Sequence, residues 1–460
     1  MGRAPLRICI VGAGLGGLAA AMLLAARGAE VVVLERASAL GGKTRAWPGA
    51  NGITLLPVFQ ALFAEAGVAL DVPLSRQNLL ARHHWAGGAT LDLVDGRAAN
   101  ADTIGGFAGA AAARGYLDFA ARAQRYFEAL EQPFIMAERP GALALAGNTA
   151  LARKMGLSAL SPLWDALGEH FADPRLRQVF GRAACYVGAS PLLAPATLMM
   201  ISHIEQLGIW QMQGGVAALV DAMAAAARHH GAVFRTAAEV VALRIEAGRA
   251  RGVVLAGGET LAADAVLANV DCAGVLGPAA ARAAPALPAG KRSFSAITWA
   301  LRPAEAPAQS IFLPADPTAE FTALHFRNLL PEAPSVQVSG GDTALVLAPS
   351  RADTRPLSAD AIAACGRAAL ALMQAAGQPQ AFEDQVPTTP DDFAAQYPGT
   401  GGALYGRAVH GWAASFQRPG ARTALPGLYL CGGATHPGAG APMAAISGRL
   451  AAARILEYRL

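Results

Sequence analysis

The chain of 460 residues and 46.9 kDa is too long for one small domain, and roughly 150 residues per unit gives about three lobes. Apolar residues make up 53% and charged residues only 15%, below the usual share of about 25%, which excludes intrinsic disorder and leaves room for an oily partner. The net charge of +4 comes from 37 basic and 33 acidic residues without a Lys/Arg run, which argues against nucleic acid.

Five cysteines (Cys9, Cys185, Cys272, Cys365, Cys431) lie far apart and form no CxxC, which points to a reducing compartment and a cytoplasmic address. Three uncharged stretches, 8–26, 183–202 and 423–448, are long enough to be weighed as membrane spans. The first carries Gly12, Gly14, Gly16 and Gly17 and leads into a strand, so nucleotide binding competes with a signal peptide there. The other two are broken by Pro or Gly, and none is expected to span. The first six residues lack the Ser or Thr of a myristoylation signal.

In chain order, residues 6–11 read as a strand, followed by a Gly-rich turn, a helix over 18–27 ending at Gly28, and a strand over 30–34. Residues 105–131 read as one helix, with Phe107, Tyr116, Phe119, Tyr126 and Phe127 forming a stripe best explained as core. From Gly214 a Gly-Gly turn opens a helix to Arg228, and 240–243, 252–255 and 265–268 read as a meander of short strands. The region 280–345 is rich in Pro and aromatic residues, 351–382 reads as helical, and the chain ends in a strand, a Pro/Gly loop and a helix over 444–458. No fixed-period repeat is visible.

Gly12-Ala13-Gly14-Leu15-Gly16-Gly17 matches GxGxxG after a strand and before a helix, and the acidic Glu35 follows 23 positions after Gly12. Glycines let the backbone approach a pyrophosphate, the helix start supplies oriented N–H groups, and the carboxylate suits a ribose rather than a 2′-phosphate. Gly41-Gly42-Lys43-Thr44-Arg45 adds a second close approach with two cations, and the loop 432–443 precedes the last helix. Together they favour FAD over a nicotinamide, with Gly12, Gly14, Gly16, Gly17, Glu35, Arg36, Gly42, Lys43, Arg45, Val240, Asn269, Gly433, Pro442 and Met443 as candidate contacts.

With these motifs in view the chain resembles the bacterial phytoene-desaturase type of FAD-dependent carotenoid desaturases. The likeness rests on the fingerprint, Gly214-Gly215, Asn269-Val270-Asp271 and LYLCGGATHPGAGAPMAAISGRLAA (428–452), and covers most of the chain. The stretches ADTIGGFAGAAAARGYLDFAARA (101–123), FGRAACYVGASPLLAPATLMMISHIEQLGIWQMQGGV (180–216), RSFSAITWAL (292–301) and GALYGRAVHGWAASFQRPGA (402–421) look like the hydroxyneurosporene and methoxyneurosporene desaturases. The resemblance implies 3,4-desaturation of 1-hydroxycarotenoids in spheroidene- or spirilloxanthin-type pigment synthesis. One departure stands out: where the family usually reads Asp-Ala-Gly-Pro-Thr, this chain reads Ala50-Asn51-Gly52-Ile53-Thr54. Either flavin contacts are rearranged there or the carboxylate is dispensable.

Such a desaturation moves a hydride from an allylic carbon to flavin N5 and a proton from the next carbon, with the intervening cation delocalised along the polyene. No strong base is required, and few catalytic side chains are expected. The candidates are His436, Arg407, His410 and the pair His203 and Glu205, the last two as polar anchors for a tertiary 1-hydroxyl; each also has a plain structural reading. Trp210, Met212, Trp412 and Phe416 are candidate walls of an apolar tunnel. No metal-ligand spacing and no Ser-His-Asp or Cys-His arrangement emerges.

The expected architecture is α/β, a Rossmann-like FAD-binding domain (parallel sheet plus β-meander) built from 1–75, 209–278 and 401–460. A mixed α+β substrate domain from 76–208 and 279–400 is inserted into it. The expected partners are a lipophilic polyene, the inner membrane face touched peripherally through 187–201, and quinone or oxygen as electron acceptor. The rival readings are another polyene flavoenzyme (a phytoene desaturase, carotenoid oxidase or hydroxysqualene dehydroxylase), an amine oxidase, and a non-catalytic lipid-carrying module. The amine oxidase reading is weakened because no obvious aromatic pair follows the C-terminal Gly-rich loop.

Overall fold

The apolar strand Arg7–Val11 and the run Glu30–Leu34 pair in parallel across a helix, Leu15–Ala26, whose residues Leu15 to Ala25 are all buried. The computed structural model describes residues 4–44, 52–138, 141, 156–301, 309–339, 344–352, 356–378 and 386–457. A helix buried on all sides needs cover on each, and Gly215–His229 and Ala441–Glu457 supply it. The closest approach is at Gly448, where a Cβ would overlap the Gly16 carbonyl oxygen.

Five parallel strands form the central sheet in the order Leu428–Leu430, Ala265–Ala268, Arg7–Val11, Glu30–Leu34, Val233–Arg235. The segment expected as the last meander strand, Ala265–Ala268, is therefore a central strand of this sheet. All four of its residues are buried, as parallel strands covered on both faces require. The meander itself is Val240–Glu246, Arg249–Leu255 and Thr260–Ala262, antiparallel and partly exposed.

A second sheet of six strands runs Ser295–Leu301, Ala344–Ser350, Val336–Ser339, Gln309–Phe312, Leu79–His84, Thr90–Val94. It is antiparallel except where Gln309–Phe312 meets Leu79–His84. The helix Ala359–Ala375 covers one face of this sheet and is shorter than the expected 351–382, starting where the Ser358 hydroxyl accepts from the Ala361 amide. A small antiparallel sheet joins Gly52–Ile53, Trp210–Met212 and Leu74–Arg76.

The helix expected over 105–131 is two, Arg97–Ala108 and Ala110–Leu130, because Gly109 takes φ +88° between them. Tyr116, Phe119, Tyr126 and Phe127 are buried, which bears out the core reading of the aromatic stripe. The uncharged segment 187–201, expected to meet a membrane, is core instead. Ala189, Ser190, Ala194, Ala196 and Met199 are fully buried, and Ala196–Met199 packs against the helices Ala110–Leu130 and Leu163–Gly168. Among the described residues no helix is long and apolar enough to cross a membrane, and no group of metal-ligating side chains comes together.

Candidate functional site

A cavity of about 1170 Å³ follows the carboxyl ends of the parallel strands and extends to the six-stranded sheet. It exceeds the roughly 300–1,000 Å³ of an ordinary small-molecule site, which gives space for a dinucleotide and part of a second molecule. One end is lined by Gly12, Gly14, Glu35, Ala238 and Val240, and the other wall includes Leu347, Gln337, Ser339, Tyr405 and Tyr186.

The turn between the first strand and helix is built for close approach. Gly12 sits at φ +94°, where its amide donates to the Leu34 carbonyl at 2.8 Å, and Gly14 is the helix N-cap with no side chain covering the first amides. A Cβ on Gly14 would stand 2.8 Å from Asn269 Nδ2, so the backbone is already packed from beneath. Asn269 donates to the Gly12 carbonyl at 3.2 Å and also borders Cys431 and Gly432, joining the two glycine loops. Glu35 accepts from the amides of Ala13 at 2.8 Å and Ala37 at 2.9 Å, one on each carboxylate oxygen, and lines the cavity.

The expected cations Lys43 and Arg36 both line the cavity, and their side-chain donors bridge it to backbone carbonyls. Lys43 Nζ donates to the carbonyls of Ala403 (3.0 Å) and Leu404 (2.9 Å), lies 5.5 Å from the Tyr397 ring, and is brought down to about 8 by burial, partly opposed by Asp271. Lys43 thus straps the Gly41-Gly42 turn to the opposite wall. Arg36 donates to the carbonyls of Ala395 and Gln396 and straps the helix Pro390–Gln396 in the same way. Gly42 and Gly433 line the cavity, whereas Pro442 is buried in the first turn of the last helix and Met443 packs with Phe134 and Phe127; Ala441 and Ala444 form the wall there. Arg45 and Asn51 lie outside the described residues.

None of the five candidate catalytic residues lines the cavity. His436 points its Nε2 at the carbonyls of Phe134 (2.8 Å) and Ala137 (3.1 Å) and is 3% exposed, so it fastens the loop to a neighbouring segment. His410 Nε2 accepts from the Ser190 amide at 3.0 Å; burial, and then the charges of His325, Lys291 and Arg351, lower it to about 4, so it is neutral. Arg407 donates to Gln417 at 3.0 Å.

His203 and Glu205, on the helix Met200–Gln206, border a separate void of about 20 Å³ with Tyr116 and Asn100. That is about the size of one water. Burial lowers His203 and pushes Glu205 up to about 7. Trp210 and Met212 belong to the small sheet, Phe416 packs on Phe134 at 5.5 Å, and Trp412 is largely exposed, so none of these four is a cavity wall.

Sequence reasoning missed Arg418. It is buried with no ion pair among the described residues and donates to the carbonyls of Tyr405 (3.1 Å), Arg407 (2.8 Å) and Gly433 (2.8 Å). It thereby clamps the loop bearing Tyr405 to the loop bearing Gly433. A lone Arg before Pro419 carries no spacing signal. The alternation in Val336–Ser339 did carry one, since it puts Gln337 and Ser339 on one face.

A family model described as flavin containing amine oxidoreductase matches residues 15–456. The chain belongs to that family. It is 38% identical to the hydroxyneurosporene desaturase of Rubrivivax gelatinosus across 98% of this chain and 93% of that protein. It is also 38% identical to the hydroxyneurosporene desaturase of Cereibacter sphaeroides across 98% and 97%. Among solved structures, an oxidoreductase from Methanosarcina mazei shares the fold at TM-score 0.61 and 18% identity, covering 98% of this chain and all of that one. The α/β flavoprotein fold and the FAD cofactor follow from the family, and the glycine cradle, the Glu35 carboxylate and the length of the cleft fit FAD.

Proposed function

We propose that this chain is an FAD-dependent carotenoid desaturase that introduces the 3,4 double bond into acyclic 1-hydroxy or 1-methoxy carotenoids. Identity of 38% along nearly the whole of a hydroxyneurosporene desaturase carries the reading, because it spans the cofactor cleft and the sheet that closes it. In this reading Gly14 and Gly16 present backbone amides to the pyrophosphate while Gly12, its own amide bonded to Leu34, shapes the turn, Glu35 takes the ribose and Val240 covers the adenine. Segments 1–75, 209–278 and 401–460 form the cofactor domain, and 76–208 with 279–400 form the substrate domain.

FAD, when bound, supplies the hydride-accepting chemistry. The chain's own part is to orient the polyene and exclude water. Leu347, Tyr405 and Tyr186 wall the far end, and burial raises Tyr405 to about 12 and Tyr186 further, so both phenols stay neutral. No histidine lines the cavity among the described residues. That suits a reaction whose cation is delocalised and whose proton needs no strong base. Incubating the holoprotein with 1-hydroxyneurosporene and an electron acceptor should give a product lighter by two hydrogens with a red-shifted spectrum. Conversion of phytoene alone would move the assignment to another polyene flavoenzyme, and which of quinone or oxygen sustains turnover identifies the acceptor.

Peripheral docking on the inner face of the membrane belongs to this proposal, because the substrate partitions into bilayers. The supporting surface joins two segments that meet where the His325 and His410 rings lie 4.8 Å apart. It exposes Phe326 (62%), Leu329 (60%) and Trp412 (49%) beside the exposed cations Lys291 and Arg327. Apolar anchors with basic neighbours suit an anionic lipid surface. Flotation with phosphatidylglycerol vesicles should fall in Phe326→Ser/Trp412→Ser and persist in Val233→Ser, an exposed site on another sheet. Equal flotation of all three would contradict this surface.

A further inference from the structure

We propose that Gln337 and Ser339 form an end-group subsite that recognises the hydroxyl or methoxyl oxygen on the terminal carbon of the polyene. The proposal rests on the desaturase reading above and names residues that set its specificity.

The strand Val336–Ser339 is two-faced. Val336 and Val338 are fully buried against the core under the helix Ala359–Ala375, while Gln337 and Ser339 face the cofactor cavity. Gln337 pairs across the sheet with Leu347, which lines the same cavity and packs with Tyr405 in the cluster around Leu404. Arg418 bonds the carbonyls of both Tyr405 and Gly433, so this wall stands beside the C-terminal glycine loop.

The Gln337 carboxamide can make up to four hydrogen bonds, yet its one protein partner among the described residues is the Ser339 hydroxyl at a long 3.5 Å. In an open, hydrated cavity its other positions are free for water. Once a hydrocarbon chain fills the cavity and expels that water, the amide is stranded unless the ligand brings a polar atom to it. A pure hydrocarbon is penalised there, whereas a terminal hydroxyl can donate and accept and a methoxyl can accept. Sites built this way discriminate mainly by rejecting the analogue that lacks the group.

Chain geometry places the subsite. In a 3,4-desaturation the oxygen on C1 is four bonds from C4, which at about 1.5 Å per bond and tetrahedral angles spans at most about 5 Å when fully extended. The end-group oxygen must therefore be read inside the cofactor cavity, where Gln337 and Ser339 stand. The void of His203 and Glu205 is separate from that cavity. The anchor expected from sequence thus shifts to the sheet.

The test compares 1-hydroxyneurosporene with neurosporene, which differ at that terminus, in flavin-loaded wild type, Gln337→Leu, Ser339→Ala and Glu205→Gln. Readouts are the kcat/KM ratio for the two polyenes and their Kd ratio on chemically reduced protein, where no turnover occurs. Flavin absorbance verifies that each variant is folded and loaded. The subsite predicts that wild type favours the hydroxylated polyene. Gln337→Leu should shrink both ratios about tenfold, Ser339→Ala less, and Glu205→Gln should leave them unchanged. Ratios unchanged in Gln337→Leu, or collapsing in Glu205→Gln alone, would overturn the subsite while desaturation stands. A wild type that acts on neither polyene would overturn the desaturase reading as well.

Discussion

Replacing Arg418 with leucine should loosen the two loops that face the cofactor. The guanidinium is 2% exposed and donates to three backbone carbonyls, those of Tyr405, Arg407 and Gly433. A hydrogen bond from a charged donor contributes about 1.5–3 kcal/mol. Part of that is offset by burying a cation without an ion-pair partner among the described residues, a cost visible in the fall of Arg418 to about 10. A net loss of about 3–5 kcal/mol follows for Arg418→Leu. If about 1.4 kcal/mol of that must be recovered when cofactor orders the loops, Kd for FAD rises about tenfold. Titrating apoprotein with FAD by fluorescence quenching, with thermal unfolding of apo and holo forms, reads both effects. Arg418→Lys should fall in between, since an ammonium cannot fork to three carbonyls as a guanidinium does. A leucine variant that binds FAD within twofold of wild type and unfolds at the same temperature would refute the clamp.

Glu205 titrates near 7 in the folded chain against 4.5 in an unfolded one, because burial opposes its charge. Its folded form therefore holds a proton that the unfolded form has lost between those values, and stability falls as pH rises through them. Glu205→Gln should match wild type near pH 4 and exceed it by about 2–3 kcal/mol at pH 8 in denaturant titrations; a difference constant with pH would contradict this. Gly448→Ala should weaken holoprotein stability by about 1–3 kcal/mol despite alanine's better helix propensity, since the new methyl meets the Gly16 carbonyl; a stabilised variant would show that the helices can part. His436→Gln should lower the melting temperature yet keep the anaerobic rate of flavin reduction within a few-fold, because the imidazole is bonded to Phe134 and Ala137 outside the cavity. A loss of a hundredfold or more in rate would return His436 to the chemistry.

The parts of this molecule legible in sequence are those whose causes are local. Gly12, Gly14 and Glu35 announce the cofactor turn because a tight bend, a bare helix start and an acid at the end of the next strand are all set within about thirty residues. What stayed hidden depends on partners far along the chain. The apolar run 265–268 looks like a meander strand until Arg7–Val11 and Leu428–Leu430 flank it in parallel. Lys43 looks like a phosphate cation until the carbonyls of Ala403 and Leu404 claim it, some 360 residues on. The oily segment 187–201 reads equally as membrane surface or core, and only the helices that cover it decide. Histidines are the weakest guide. His436 and His410 lie near the glycine loops in sequence, yet backbone groups of Phe134, Ala137 and Ser190 hold them away from the cavity.

The most direct measurement is rapid anaerobic mixing of the FAD-loaded protein with 1-hydroxyneurosporene, following flavin and carotenoid absorbance together. Bleaching of the flavin in step with a red shift of the polyene, one product formed per flavin reduced, is the predicted result. A flavin that stays oxidised with every polyene but bleaches with a primary amine would contradict the account and place the chain with amine oxidation instead.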